Sequence, residues 1–259
     1  MSQTDVRGRF LWYELLTKDT QGALEFYSKV TGWGLLPFND LGTPYTMFTR
    51  DGVPLAGTMQ LPEDAVKMNA ASHWLVYIGT PDVDATVAKA AKLGATTCVA
   101  PEDIPTVGRF AVMNDPQGAE IAFYTPANEQ PPSHAPEVGD VSWHELGTTD
   151  LDGALRFYQQ VAGWEQTASH DMGELGPYQM FGLGGHTLGA VYRKPASMTG
   201  PAAWTVYIRV ESVLKSVDLV KENGGQVLMG PHEVPGGDWI LQCQDPQGAI
   251  FALHQRKAE

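Results

Sequence analysis

The amino-acid sequence predicts an α+β protein made of four βαβββ modules, which form two tandem domains. Three observations lead to this prediction. The segment WYELLTKDTQGALEFYSKVTGW at 12–33 recurs in the second half as WHELGTTDLDGALRFYQQVAGW at 143–164. The sequence DPQGA occurs at 115–119 and again at 245–249. Within each copy, patterns typical of a strand, a helix and three short strands follow one another twice.

The two copies are separated by TPANEQPPSHAPEVGD, a segment without apolar periodicity. Its proline and polar residues are typical of a linker. We therefore predict a first domain at 1–127, a linker at 128–139 and a second domain at 140–259. Each domain has enough residues to bury a core of its own.

The first module begins with a strand and a capped helix. FLWYELLT is typical of a strand, Asp19 or Thr20 can cap the helix that follows, and Gly32 ends that helix. The apolar residues at helical spacing are Ala23, Leu24, Phe26, Tyr27 and Val30. This spacing predicts that one face of the helix packs on the core.

Three strands complete the first module, at 33–38, 45–50 and 53–60. The loop NDLGTP separates the first two, and a tight turn at Asp51-Gly52 separates the last two. Short strands joined by such turns predict hairpins within a sheet.

The other modules repeat this order. In the second module, the strand HWLVYIG precedes a helix that starts near Asp82 and stops at Gly94. Three strands follow and end at Tyr124, with DPQG as the turn between the last two. The second copy has matching helical patterns near 150–162 and 211–223.

The composition argues against several classes of partner. With a formal net charge of −13, the chain repels nucleic-acid backbones and anionic membranes. It contains no run of about 18 apolar residues, and MSQTDVRGRF lacks the apolar stretch that a secretory signal requires, so we expect no such signal. We expect a cytoplasmic monomer or homodimer with a small-molecule partner. Cys98 and Cys243 lack a second cysteine at metal or redox spacing, and we expect both to be buried thiols.

The order of elements resembles a known superfamily. A strand, a capped helix ending in Gly-Trp, hairpin strands and a closing strand after Asp-Pro-x-Gly are similar to those of the vicinal oxygen chelate superfamily of glyoxalases, bleomycin-resistance proteins and extradiol dioxygenases. WYELLTxD, WxVY, GRF and DPQGA resemble bacterial two-domain glyoxalase-like proteins. The resemblance covers nearly the whole chain. It implies curved mixed sheets in which paired modules surround a ligand-binding cup.

The resemblance also implies positions for a divalent metal, held by His and Glu side chains of the first and last strands of paired modules. Counted from the helix-capping and turn aspartates, these positions fall on Trp12, Leu75, Ala122, Trp143, Thr205 and Ala252. None of these residues is an acid or an imidazole. We therefore expect a degenerate metal site and no cofactor.

Two glutamates are candidate catalytic residues. Glu14 and Glu145 follow Trp12 and Trp143 by two positions, so strand alternation places them on the same side, towards the cup. A carboxylate desolvated in an aromatic cup could act as a general base. The alternative is a buried ion pair or a hydrogen bond to the backbone, and Arg109 is an available partner for Glu14.

Aromatic residues dominate the side predicted to line the cups. The candidate ligand-contacting residues are Trp12, Tyr45, Tyr77, Arg109, Tyr124, Trp143, Tyr178, Tyr207 and His254. The aromatic members could line an apolar pocket with hydroxyl groups that orient a ligand, and core packing is the alternative. Gly57 and Gly189 are expected to leave space in the cups.

The sequence is compatible with two functions. The first is metal-independent binding of a small, partly aromatic or amphipathic molecule. The second is an enzyme, either a glyoxalase-like lyase or dioxygenase with a displaced metal site, or a metal-free catalyst that uses Glu14 or Glu145 as its base.

Overall fold

The computed structural model describes residues 5–38, 45–67, 69–131, 134–198 and 200–257. The loop predicted at 39–44 lies outside these ranges. In the first half the elements are β1 Phe10–Thr17, α1 Thr20–Thr31, β2 Gly34–Phe38, β3 Tyr45–Arg50, β4 Val53–Gln60, α2 Glu63–Lys67, β5 His73–Gly79, α3 Val83–Lys92, β6 Thr96–Ile104, β7 Gly108–Asn114 and β8 Glu120–Pro126. Apart from the short α2, these elements follow the predicted order.

The second half repeats the arrangement. Its elements are β9 Val141–Thr148, α4 Leu151–Ala162, β10 Glu165–Asp171, β11 Pro177–Leu183, β12 His186–Arg193, β13 Ala203–Arg209, α5 Val213–Glu222, β14 Gln226–Glu233, β15 Trp239–Gln244 and β16 Ile250–Gln255. A 3-10 turn at Gly173–Leu175 joins β10 to β11. None of the helices in the described ranges combines the length and apolar character needed to cross a bilayer.

The described strands form two eight-stranded mixed sheets. Their orders are β2-β3-β4-β1-β5-β8-β7-β6 and β10-β11-β12-β9-β13-β16-β15-β14. The hairpins are antiparallel, whereas β1 with β4 and β9 with β12 are parallel pairs. This repeated βαβββ order confirms the predicted α+β fold class.

The first helix shows why the sequence predicted these elements well. The Asp19 side chain accepts a hydrogen bond from the amide of Gly22 at 3.0 Å, which satisfies a donor at the helix start. Gly32 ends the helix with φ of +79°, a left-handed conformation that suits glycine. The five residues buried from this helix are the five predicted, Ala23, Leu24, Phe26, Tyr27 and Val30.

The chain packs as two compact units, each of which includes segments of both predicted domains. Unit 1 comprises the described residues within Met1–Trp12, Leu75–His134 and His144–Trp204. Unit 2 comprises those within Tyr13–Trp74, Ala135–Trp143 and Thr205–Glu259. Helices α3 and α4 pack together in unit 1, and α1 and α5 pack together in unit 2. The boundaries 1–127, 128–139 and 140–259 stay a prediction.

Each unit contains a buried aspartate from a DPQG turn. In unit 2, the Tyr27 hydroxyl donates to Asp245 Oδ2 at 3.2 Å and accepts from Trp74 Nε1 at 2.9 Å. The other carboxylate oxygen of Asp245 accepts from the amides of Gln247 and Ala249. The equivalent residues of unit 1 are Tyr158, Asp115, Trp204, Gln117 and Ala119. Every polar atom named here thus has a hydrogen-bond partner in the interior.

The two cysteines differ in their environments. Cys243 is buried, as predicted, whereas Cys98 is exposed, so the prediction of burial was wrong for Cys98. Cys98 lies on β6, which is the last strand of its sheet. An edge strand has a neighbouring strand on one side only, and most residues of β6 are exposed.

Candidate ligand-binding sites

In unit 2, Glu14 on β1 is paired with Tyr45 on β3. The Tyr45 hydroxyl donates to Glu14 Oε2 at 2.9 Å, and the two residues are 3% and 9% exposed. Gly57 on β4 lies opposite Glu14 in the sheet register. A Cβ atom at Gly57 would lie 1.9 Å from the Tyr45 hydroxyl, so the phenol occupies the space that glycine leaves. We call Glu14, Tyr45 and Gly57 the Glu14 site.

In unit 1, Glu145 on β9 accepts a hydrogen bond from Tyr178 on β11, with 2.6 Å between the phenol oxygen and Oε1. Tyr192 on β12 stacks beside Tyr178, with ring centroids 6.3 Å apart and an interplanar angle of 24°. Burial, followed by the negative charge of Glu145, raises the pKa of Tyr192 to about 12. Gly147 lies opposite Tyr192, and a Cβ there would lie 2.9 Å from its hydroxyl. We call Glu145, Gly147, Tyr178 and Tyr192 the Glu145 site.

The two sites differ in how far their tyrosines are covered. Glu145 is 7% exposed, whereas Tyr178 and Tyr192 are both partly exposed. In the Glu14 site, the carboxylate and its tyrosine are both buried. The Glu145 site therefore presents aromatic surface to solvent above a buried carboxylate.

Tyr192 is a site residue that the sequence analysis missed. It follows Ala190, the residue opposite Glu145, by two positions. Strand alternation therefore places the side chains of Ala190 and Tyr192 on the same face of the sheet. Alternation along the strand at 186–193 was the signal that could have identified Tyr192.

Unit 1 also brings together two of the predicted aromatic residues. The rings of Tyr77 and Tyr124 meet edge to face at 6.2 Å, and Phe110 lies 6.2 Å from Tyr77. The Tyr124 hydroxyl donates to the carbonyl oxygen of Val107 at 2.9 Å. Burial raises the pKa of Tyr124, which keeps this hydroxyl protonated. These residues form an aromatic cluster whose role as a ligand surface stays a prediction.

Arg109 has other partners than the predicted one. Its guanidinium donates to both carboxylate oxygens of Asp84, at 2.7 and 3.0 Å, and to Asp103 at 3.0 Å. The expected pairing with Glu14 is replaced by these contacts, because α3 and β6 place the two aspartates beside β7. A part-exposed ion-pair group of this kind contributes little to stability. Contact of Arg109 with a ligand stays a prediction.

In unit 2, Tyr207 and His254 have polar partners that the sequence did not reveal. Gln242 Nε2 donates to the Tyr207 hydroxyl at 3.0 Å, and Tyr207 is 2% exposed. His254 Nδ1 lies 2.8 Å from Ser142 Oγ, and its Nε2 lies 2.9 Å from Asp238 Oδ2. These distances depend on the register of the β15–β16 hairpin, where Gln242 lies opposite Ala252. His254 is therefore part of a polar chain in unit 2.

The structure allows a test of the metal positions implied by the resemblance. Trp12 and Trp143 are partly exposed on β1 and β9. Ala122 and Ala252 are buried on the closing strands, opposite Tyr77 and Tyr207 respectively. Within the described ranges, no group of three or more His, Cys, Asp or Glu side chains is placed to hold a metal ion. These side chains do not fit the metal centre of the superfamily, and we assign no chemistry to one.

The expectation that Gly57 and Gly189 leave open space in the cups was wrong for both, because the Tyr45 hydroxyl fills the space beside Gly57. Gly189 lies opposite His144, and a Cβ there would lie 2.0 Å from the His144 carbonyl oxygen and 2.9 Å from the Phe181 ring. It therefore allows close strand packing and does not leave space beside Glu145. Ala190 lies opposite Glu145, as Gly57 lies opposite Glu14.

His144 is a buried structural histidine of unit 1. Its ring stacks on Phe10 with centroids 3.5 Å apart, and Nδ1 lies 2.8 Å from the carbonyl oxygen of Leu188. Burial lowers its pKa to about 4, so the ring is neutral at physiological pH. Its environment agrees with core packing.

Comparison with known proteins identifies relatives that align with most of the chain. A putative glyoxylase, CFP32, of Mycobacterium tuberculosis (strain CDC 1551 / Oshkosh) is 31% identical over 245 residues, which cover 93% of this chain and 92% of that protein. The anthracycline biosynthesis protein DauV of Streptomyces sp. (strain C5) is 26% identical, with 93% and 91% covered. The crystal structure of the 2,3-dioxygenase LapB from Pseudomonas sp. KL28 superposes with a TM-score of 0.66 at 15% identity, covering 99% of this chain and 94% of LapB.

A family model matches both copies of the repeat. The model describes the Glyoxalase/Bleomycin resistance protein/Dioxygenase superfamily, and it matches residues 9–123 and 141–253. Each match includes one complete strand–helix–hairpin series followed by the second module of the same copy. The resemblance predicted from the sequence is confirmed, and this chain belongs to the Glyoxalase/Bleomycin resistance protein/Dioxygenase superfamily.

Proposed function

We propose that this protein binds a small, partly aromatic or amphipathic molecule at its Glu14 and Glu145 sites, without a resident metal. The observation that carries the proposal is the repeated arrangement of a buried glutamate and a tyrosine from the neighbouring hairpin. The two tyrosine–glutamate hydrogen bonds are 2.9 and 2.6 Å long. Both glutamates follow by two residues a tryptophan at a position where the superfamily places a metal ligand.

The chemistry of these residues suits an amphipathic ligand. Aromatic rings offer apolar faces on which a flat molecule can stack, while a carboxylate accepts hydrogen bonds from its polar groups. A hydrogen bond to a charged acceptor is stronger than a neutral one, so the tyrosine hydroxyl holds each carboxylate in a fixed position. A fixed acceptor next to aromatic surface can orient a ligand.

The relatives are compatible with a ligand of this class. DauV carries a name that refers to anthracycline biosynthesis, and it aligns with 93% of this chain. That name concerns DauV, and it supports the choice of aromatic compounds as the first ligands to test.

A second candidate function is metal-free general-base catalysis by Glu14 or Glu145. The burial of both glutamates favours it, because a poorly hydrated carboxylate takes a proton from a bound substrate more readily than a solvated one. Substitution of both glutamates by Gln should then abolish turnover and leave folding intact. Turnover by the folded double variant would exclude these residues as the base.

The proposed binding can be tested by titration with a panel of aromatic and aliphatic compounds, followed by the fluorescence of tryptophans such as Trp12 and Trp143. We expect saturation by aromatic compounds and weaker binding in the variants Glu14→Gln and Glu145→Gln. Saturation by no compound of a broad panel would contradict binding. Elemental analysis of the purified, untagged protein completes the test, because a stoichiometric metal would contradict the metal-free site.

A further inference from the structure

We propose that the Glu145 site binds an organic cation, specifically a protonated amine attached to an aromatic or apolar body. This inference rests on the proposed function and specifies the ligand class for one of the two sites. It concerns unit 1 alone. The arrangement of Glu145, Tyr178 and Tyr192 carries it, because two aromatic faces and a carboxylate are the groups that together recognise an organic ammonium ion.

The rings of Tyr178 and Tyr192 lie beside the carboxylate of Glu145. Tyr178 donates to one oxygen of Glu145, so its ring lies next to the carboxylate. Tyr192 stacks beside Tyr178 at 6.3 Å between centroids, and both rings are partly exposed. An ammonium group within about 6 Å of a ring centroid is attracted by the ring's negative face. A ligand on the exposed parts of these rings therefore approaches Glu145 from the solvent side.

The negative charge of Glu145 also favours a cationic ligand. The negative charge of Glu145 contributes to the raised pKa of Tyr192, so the field of the carboxylate reaches the neighbouring phenol. Glu145 is 7% exposed, and a charge away from water acts on its neighbours more strongly than a solvated one. The same field stabilises a cation and repels an anion. The formal net charge of −13 adds a long-range attraction for cations.

The Glu145 site does not suit an inorganic cation. A divalent metal needs several oxygen, nitrogen or sulfur ligands at short distances, and the described residues contain no group of three suitable acidic, histidine or cysteine side chains. The phenols at Tyr178 and Tyr192 instead provide apolar area. An amine on an aromatic body uses both the carboxylate and the rings, which a metal ion would not.

The second ring of the Glu14 site is arranged differently. Phe38 meets Tyr45 edge to face, with ring centroids 6.2 Å apart, and no second phenol stacks beside Tyr45 among the described residues. Met59 lies opposite Leu16 in the first copy. The equivalent pair in the second copy is Tyr192 opposite Gly147. Tyr45 is buried and fills the space above Gly57. The two sites thus share a carboxylate and one phenol, but only the Glu145 site has a pair of partly exposed rings.

The test is isothermal titration calorimetry with three probes of one shape: 1-naphthylmethylammonium, neutral 1-naphthylmethanol and anionic 1-naphthoate. We expect the ammonium probe to bind about tenfold more tightly than the alcohol, and the carboxylate probe to bind most weakly. In Glu145→Gln, the ammonium and alcohol probes should bind equally. Glu165→Gln removes an exposed charge elsewhere in unit 1 and should keep the preference.

The outcomes separate this inference from the proposed function. Equal binding of the ammonium and alcohol probes to the native protein would overturn the cation inference and leave aromatic binding supported. Binding of none of the probes would count against both. A preference lost in Glu14→Gln but kept in Glu145→Gln would also overturn the assignment to the Glu145 site.

A second variant covers the case in which Glu145→Gln does not fold. Tyr192→Leu removes one aromatic face while it keeps the carboxylate, and we expect it to reduce the ammonium preference severalfold. Met59→Leu is the matched change at the equivalent strand position and should leave the preference unchanged. An unchanged preference in Tyr192→Leu would overturn the proposed role of the ring pair.

Discussion

The Glu14 site of unit 2 and the Glu145 site of unit 1 are two versions of one arrangement. In both, a glutamate on the first strand of a module accepts a hydrogen bond from a tyrosine on the adjoining hairpin. Their surroundings differ. Gly57 gives the Tyr45 phenol room to settle into a buried position, whereas a methyl group stands at the matching residue, Ala190.

A second pair of positions extends the difference. Leu16 and Met59 are opposite one another in the first copy, and Gly147 and Tyr192 are opposite one another in the second. The first pair thus combines two large side chains, whereas the second combines a glycine with a tyrosine. A duplicated module can thus keep its tyrosine–glutamate hydrogen bond while its aromatic surroundings change. Here the changes are Gly57 to Ala190 and Met59 to Tyr192.

The largest expected effect concerns a feature that both units share. Asp115→Ala and Asp245→Ala each remove a buried acceptor of three hydrogen bonds, two from backbone amides and one from a tyrosine. We expect each variant to lose about 4 kcal/mol of unfolding free energy in urea denaturation, because donors are left unsatisfied. Asp152→Ala, an exposed control, should change it by less than about 0.5 kcal/mol. Losses that differ by more than about 1 kcal/mol would contradict the equivalence of the two turns.

The next expected effect is a loss of stability at acid pH that arises in unit 1. His144 in unit 1 has a pKa lowered to about 4, whereas the unfolded chain takes up this proton near pH 6.5. Stability should therefore fall as pH decreases from about 6.5 to about 4, by about 3 kcal/mol, and level off below. His144→Phe keeps a ring to stack on Phe10 and should remove this part of the slope in urea denaturation at several pH values. If the free energy of unfolding of His144→Phe depends on pH as it does in the native protein, His144 is not the source of the acid sensitivity.

The matching residue in the first copy is Tyr13, opposite Ala56 as His144 is opposite Gly189. Burial, with a smaller effect of Asp140, raises the pKa of Tyr13. The stability that depends on Tyr13 is therefore present below pH about 10 and is lost above it. The acid sensitivity due to this strand position belongs to unit 1 only.

A smaller effect sharpens the contrast between the two sites. Gly57→Ala brings a methyl group into overlap with the Tyr45 hydroxyl. We expect the free energy of unfolding to fall by about 2 kcal/mol, because the phenol must move. Ala190→Gly is the reverse change at the residue opposite Glu145, and we expect it to lower the free energy of unfolding by about 1 kcal/mol because glycine weakens a strand. Urea denaturation measures both. A native-like stability of Gly57→Ala would mean that Tyr45 does not need this space.

The smallest effect is electrostatic. In Glu145→Gln, the pKa of Tyr192 should decrease from about 12, because the nearby negative charge is gone, while burial still keeps it above its usual value. Ultraviolet absorbance of tyrosinate measures this, with Tyr192→Phe as the difference reference. An unchanged pKa would contradict the electrostatic link between Glu145 and Tyr192.

Local patterns predicted much of the fold. The strand at 10–17, the helix that Asp19 caps and Gly32 ends, and the turn at Asp51-Gly52 follow from alternation, capping and glycine chemistry. Alternation from Trp12 also identified Glu14 as a candidate, and the structure brings it to Tyr45. These features depend on neighbours close in sequence or on a strict period of two.

Features that depend on strand register were harder to predict. Gly189 was matched to Gly57 by sequence, but a difference of one residue in register moves a strand residue to the other face of its sheet. The partners of Arg109 depend on how α3 and β6 pack beside β7, which no local pattern contains. The Ser142–His254–Asp238 chain likewise needs three segments to meet.

The composition of the two units has a consequence for synthesis. Tyr27 and Asp245 form one buried hydrogen bond across a separation of 218 residues, and unit 2 draws on both Tyr13–Trp74 and Thr205–Glu259. The ribosome makes a chain from its N-terminus, so the early segment of unit 2 emerges long before its late segment. Such distant contacts slow folding and expose apolar surface during translation. Phe26 and Tyr27 of α1 therefore lack their contacts with Phe251 until almost the entire chain has been translated.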